Sequence, residues 1–120
     1  MLCAGCTPAQ VAWWGSAPAE SRQAAVVHIV SEAAAEFGTD PQVMLRVARC
    51  ESGLRPDAVN RTSGAAGLFQ HLPQYWAGRA EAVGSPDAGP EDPVANSRAA
   101  AWMMSVQGLT PWAASRSCWQ

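Results

Sequence analysis

The chain has 120 residues and a mass of 12.6 kDa, which allows one compact domain and one site but no second independent core. Its 48% apolar content, six tryptophans and sparse charge exclude a disordered tail, and a net charge of −2 with eight scattered arginines and no lysine offers nucleic acid no basic face. Its uninterrupted apolar stretches, such as Ala24 to Val27, fall far short of the roughly twenty residues that a membrane span needs.

Residues 1–20 read as a leader rich in Ala, Pro and Gly, and residues 21–120 as the folded domain. Met1 and Leu2 supply neither a basic region nor an apolar core of a signal peptide. The string Leu2-Cys3-Ala4-Gly5-Cys6 resembles the end of a bacterial lipoprotein signal, with Cys6 in the lipid-bearing place and Cys3 where that pattern wants an aliphatic residue. Trp13 and Trp14 are expected to dock onto the domain.

Ser21 is a suitable N-cap for a helix to Phe37, with Ala25, Ile29, Ala33 and Phe37 down one side and Gly38 as the stop. Asp40 and Pro41 open a second helix in the favoured order of N-cap and N1 proline, and that helix carries Val43, Met44, Val47, Cys50 and Glu51. Turn formers dominate residues 53–68, which predict a loop or a short hairpin-like segment. A helix resumes near Pro73 and runs to about Val83, and an exposed loop follows through Glu91. Asp92 and Pro93 repeat the start signal for a helix whose apolar face is read as Val94, Ala95, Ala99, Trp102, Met103 and Val106, with Gly108 and Pro111 ending it. The predicted fold class is mainly α, with no internal repeat.

Glu51 sits on the wrong side of its helix for a solvated carboxylate. Ala48, Val47 and Met44 lie three, four and seven residues before it, on the stripe that should face a core. Desolvation and the negative end of a helix dipole both favour the neutral form of a carboxyl group, which is the form a general acid needs. Position alone equally fits a glutamate at a frayed helix end, satisfied by a neighbouring backbone group.

Four cysteines allow three pairings. Cys50 and Cys118 lie in predicted folded structure while Cys3 and Cys6 sit together in the leader, so a Cys50–Cys118 bond is the expected one. It would pin the region of Cys118 beside Glu51, stabilise the fold by about 4 kcal/mol through loop closure, and imply an oxidising compartment. One Cys-x-x-Cys with His28 and His71 far off lacks the paired spacing of structural zinc, so no metal or other cofactor is expected.

The segment Cys50-Glu51-Ser52-Gly53-Leu54-Arg55-Pro56-Asp57-Ala58-Val59-Asn60, followed by Ser63 to Trp76, resembles the lytic transglycosylase (SLT) branch of the lysozyme-like superfamily, goose-type lysozymes included. The resemblance rests on Glu51-Ser52 at a helix end, Pro56 a few residues on, and Gly64-Ala65-Ala66-Gly67-Leu68-Phe69-Gln70. Phe37 to Pro41 and Asp92 to Asn96 are similar to the approaches to the family's catalytic and later helices, so the likeness extends over about residues 21–119. The cysteine before the glutamate and the ending with Cys118 are most like exported actinobacterial members and phage proteins of such hosts.

The resemblance implies a lysozyme-like helical domain that acts outside the cytoplasm, as a monomer, on peptidoglycan glycan strands, cleaving the β-1,4 bond between N-acetylmuramic acid and N-acetylglucosamine to leave a 1,6-anhydro end. Glu51 is then the single general acid and base. Ser52, Asn60, Ser63, Phe69, Gln70, Tyr75 and Trp112 are the candidate substrate contacts; a helix cap for Ser52, a satisfied amide for Gln70 and simple burial for Trp112 are the competing readings. Asp57, the nearest other carboxylate, follows Pro56 in a polar loop and reads as a turn residue. One departure stands out. Many such enzymes carry Ala-Tyr-Asn after the late helix, where this chain has Gly108-Leu109-Thr110-Pro111-Trp112 and no Tyr-Asn anywhere. That leaves hydrolysis, or a non-catalytic peptidoglycan-binding or virion-associated role, as alternatives to transglycosylation.

Overall fold

The computed structural model describes residues 7–120; Cys3 and Cys6, and with them the lipoprotein-like string, lie outside the described residues. The leader region is not without structure. Helix α1 spans Pro8–Ser16, and its start is a reciprocal capping box in which the Thr7 side chain accepts from the Gln10 backbone N–H and the Gln10 side chain accepts from that of Thr7. Trp14 is half-buried against the main core, while Trp13 stays exposed with its ring edge-on to Trp14.

Helix α2, Ala19–Phe37, begins before the expected cap: Pro18 occupies the N-cap position and Ser21 lies inside the helix. Its buried face is Val26, Val30, Ala33 and Ala34, one residue round from the predicted stripe, with Ala25 and Ile29 only partly covered. The cause is its composition, since apolar residues occur on several sides of this helix and period alone does not select one. Helix α3, Pro41–Ser52, starts as expected, the Asp40 carboxylate accepting from the Gln42 and Val43 N–H groups, and stops at Gly53, whose φ of 63° suits a residue without a side chain. Helix α4 spans Pro73–Ala82.

Helix α5, Pro93–Gln107, lies at the centre. Asp92 caps it through Val94 and Ala95. Its predicted apolar face is only half correct: Val94 and Val106 are 49% and 71% exposed, whereas Asn96, Ser97, Ala100 and Ala101 are buried alongside Ala95, Ala99 and Met103. A helix enclosed on most of its circumference, here by α2, α4 and the loop before α4, has no single stripe to read. A 3-10 turn, Thr110–Ser115, and a short helix α6, Arg116–Trp119, then fold back onto α3. Cys50 and Cys118 are bonded there, with their Cα atoms 5.9 Å apart, and Arg46 of α3 donates to the Trp119 carbonyl.

Two apolar clusters result. The larger joins α2, α3 and α5 with Leu68, Phe69, Trp112 and Trp119; the smaller seats Trp76, Ala80 and Val83 of the α4 region on Ala95 and Ala99 of α5. A bidentate ion pair from Arg98 to Glu36, both contacts at 2.7 Å, ties α5 to α2, and the same guanidinium also donates to the Val83 carbonyl. Among the described residues no helix is long and apolar enough to cross a membrane.

Residues 53–72 form a wound loop with the hairpin-like character expected of it. Ala66 makes isolated antiparallel bridges to Val59 on one side and His71 on the other. The loop is fixed to α5 by one fully buried side chain. Asn96 accepts from the Phe69 N–H at 2.9 Å and donates to the carbonyls of Ala66 at 3.2 Å and Pro90 at 2.8 Å. Gly67 passes so close that a Cβ there would collide with the Asn96 amide and the Pro90 carbonyl, so this glycine answers to the asparagine. Beside it His71 is buried, its Nε2 bonded to the Asn96 carbonyl and its Nδ1 to an Arg79 guanidinium N–H, each at 3.1 Å. Nδ1 is therefore the acceptor, Nε2 the donor and the ring neutral. Burial, reinforced by the Arg79 charge and opposed by the Asn96 bonds, lowers the His71 pKa to about 4.

Replacing Asn96 by Ala would leave the Phe69 N–H and the Pro90 carbonyl unpaired, while the Ala66 carbonyl keeps the His71 N–H, and should cost on the order of 3 kcal/mol in urea unfolding. His71 sets a pH dependence of known sign. The unfolded imidazole binds a proton near pH 6.5 and the folded one only near 4, so its contribution is complete above pH 6.5 and is lost as pH falls towards 4. Unfolding free energy should drop across that window by up to about 3 kcal/mol, and the His71 imidazole resonances should keep their neutral positions until the lower end of it.

Candidate active site

Glu51 occupies the last turn of α3, between the disulfide-bonded Cys50 and the buried Ser52. Its carboxyl is half-buried, and its Oε1 accepts from the Ser115 hydroxyl at 2.7 Å. Among the described residues no arginine or histidine forms an ion pair with it. Ser115 is itself enclosed by two tryptophans: the Trp119 indole N–H donates to its Oγ at 3.1 Å, and the Trp112 carbonyl lies 3.1 Å from the same oxygen. The Trp112 indole N–H in turn donates to the Phe69 carbonyl, with the two rings edge-on at 6.3 Å. A continuous set of contacts thus runs from the acid through the 3-10 turn to the loop that Asn96 holds.

The other candidates divide into two groups. Ser52 is buried, and its hydroxyl turns back to donate to the Ala48 carbonyl one turn earlier in its own helix, which Gly53 and not Ser52 caps. Phe69 and Trp112 are 1% and 5% exposed, so neither ring offers a face for a sugar to stack on. The reason is the same for both: the apolar rings complete the main core where the loop and the 3-10 turn meet.

The second group is accessible. The Asn60 carbonyl oxygen accepts from the Thr62 and Ser63 N–H groups, and the Ser63 hydroxyl accepts from Ala65, so both side chains build the exposed turn of the loop. Gln70 has a left-handed backbone, φ 55°, and its amide N–H group donates to the carbonyls of Ala58 and Gly67, bracing the two arms of the loop. Its amide oxygen and the Asn60 amide nitrogen have no hydrogen-bond partner among the described residues. Tyr75 is 53% exposed on α4 with the Arg79 guanidinium 5.1 Å above its ring, and no contact links it to Glu51.

Asp57 is exposed and lines a cavity of about 500 Å³ between Trp14, Arg22 and the turn after α3; Glu51 does not line it. The acid therefore stands without a second carboxylate bonded to it. Sequence reasoning missed Ser115, Trp119, Asn96 and His71. For Asn96 a signal existed, a lone amide in register with Ala99, Ala100 and Met103, whereas Ser115 meets Glu51 across 64 positions with no local pattern to announce it.

No curated protein matches the chain. The model of the family described as the transglycosylase SLT domain matches residues 28–108, about two thirds of the sequence, from α2 through α3 and the loop to the end of α5. With a mainly helical architecture and the Glu-Ser pair at the end of α3, the chain belongs to the transglycosylase SLT domain family.

Proposed function

We propose that this protein cleaves the β-1,4 bond between N-acetylmuramic acid and N-acetylglucosamine in peptidoglycan as a lytic transglycosylase, with Glu51 as general acid and then general base. The observation that carries this reading is a half-buried carboxyl at the end of α3, oriented by a hydroxyl and lacking a bonded carboxylate partner, in a chain of the SLT family. The protonated Glu51 gives its proton to the leaving glycosidic oxygen as the bond to C1 breaks. The carboxylate so formed then takes the proton of the muramyl O6 hydroxyl while O6 bonds to C1. No water is consumed, and Glu51 ends protonated as it began.

A lone acid suits this chemistry. Glycosidases with two carboxylates use the second as nucleophile or to activate water, and substrate-assisted ones replace it with a group of the sugar. The free amide groups of Asn60 and Gln70 and the exposed ring of Tyr75 support hydrogen bonding and stacking on the glycan, with the Ser63 turn beside them. Ser52, Phe69 and Trp112 serve by holding the acid and the loop in place. The substrate lies outside the cytoplasmic membrane, and the Cys50–Cys118 bond is consistent with an oxidising compartment there. Plain hydrolysis is the second reading, favoured by the missing Tyr-Asn pair after α5.

Purified sacculi test both. Glu51→Gln should unfold at the wild-type temperature and release muropeptides roughly a thousandfold more slowly; an active variant would sink the mechanism. Mass spectrometry of the wild-type products should find ends one water lighter than a reducing sugar, and reducing ends would turn the assignment to hydrolysis.

A further inference from the structure

We infer that the Ser115 hydroxyl positions Glu51 in both protonation states of its cycle, donating to the carboxylate and accepting from the carboxyl with neither side chain changing place. The inference rests on Glu51 being the acid. A serine hydroxyl has one proton and two lone pairs, and the surroundings of Ser115 supply a use for each. When Glu51 is ionised, the hydroxyl proton points to Oε1 at 2.7 Å and the Trp119 indole N–H fills a lone pair from 3.1 Å. When Glu51 is protonated, its own O–H can point to Oγ across the same distance, and the serine proton turns to the Trp112 carbonyl at 3.1 Å. The Trp119 N–H is also within reach of that carbonyl, at 3.2 Å, so it keeps a partner throughout.

Each exchange is a rotation of a hydroxyl hydrogen. A general acid that must become a base on the same substrate gains from this, because its carboxyl group need not be released and recaptured between the two steps. Ser115 acts through the Glu51 carboxyl to which it is bonded, so it is a positioning residue. It also lies beyond the stretch that matches the family, which ends at residue 108, in the segment tethered to α3 by Cys118 and by the Arg46 bond to Trp119. The feature therefore belongs to this chain's own closing turn.

The test compares wild type, Ser115→Ala and Ser115→Thr in turnover, and adds Glu51→Ala with Glu51→Ala/Ser115→Ala in unfolding equilibria, alanine removing the acceptor that Gln would keep. Ser115 is half-buried and the alanine change removes one atom, so the variants should fold. The alanine variant is expected to lose roughly tenfold in kcat at an unchanged KM, and threonine, which keeps the hydroxyl, should recover most of it. The unfolding constants of the four-member cycle should be non-additive by roughly fivefold or more. Additive unfolding overturns the contact itself, and wild-type kcat in the alanine variant, or threonine no better than alanine, overturns the positioning role while leaving Glu51 as the acid. A wild-type chain without turnover would overturn the reading of Glu51 and this inference with it.

Discussion

The structure depends on the buried amide of Asn96. Two of its hydrogen bonds, to Phe69 and Ala66, attach the central helix to the long loop that follows α3, the third reaches Pro90 in the loop before α5, and together they satisfy the buried Phe69 N–H and the Pro90 carbonyl. Around it the fit is close enough that only glycine can stand at position 67 and that the adjacent histidine is held neutral. A loop rich in turn formers would ordinarily be mobile. Here it is tied down by hydrogen bonds to α5 and across its own arms, and the side-chain amides of Asn60 and Gln70 each use one end for that bracing.

The acid is held from the opposite side by different means. Glu51 comes at the end of a helix whose position follows from its apolar face, and what orients its carboxyl arrives from a 3-10 turn stapled to that helix by a disulfide. Trp112 of this turn and Trp119 of α6 divide the labour: Trp112 bonds to the Phe69 carbonyl and so reaches the loop, while Trp119 bonds to the serine beside Glu51. The site is thus closed by aromatic side chains used for their N–H groups as much as for their rings.

Much of this was legible in the sequence, and the failures have physical causes. Helices α3 and α5 begin where they were read because Asp-Pro is a local device, complete within four residues. Glu51 stands out in the sequence because a carboxylate on an apolar stripe conflicts with its surroundings, and the structure places it half-buried at the end of α3 as that position implies. Cys50–Cys118 followed from which cysteines lay in folded structure, and it correctly brought the region of Cys118 next to Glu51. Faces were harder: the stripe of α2 is one residue off and Val94 and Val106 are exposed, because alanine-rich helices leave the choice of side to tertiary packing. Helix α1 was hidden by its composition, although Thr7, Pro8 and Gln10 spell a capping box. The burial of Phe69 and Trp112 is not legible either, because an aromatic residue near a site reads the same whether it faces in or out.

Gln70 carries one more consequence. A left-handed backbone costs a residue with a side chain about 1–2 kcal/mol, and glycine would occupy φ 55° without strain. Glutamine stands there instead, and its two hydrogen bonds to Ala58 and Gly67, worth about 1 kcal/mol each, are of the size needed to offset the distortion. The position is thus close to energetically neutral, a balance in which the fold alone does not dictate the residue. What glutamine adds over glycine is a side-chain brace across the two arms of the loop, together with an amide oxygen that takes no partner among the described residues.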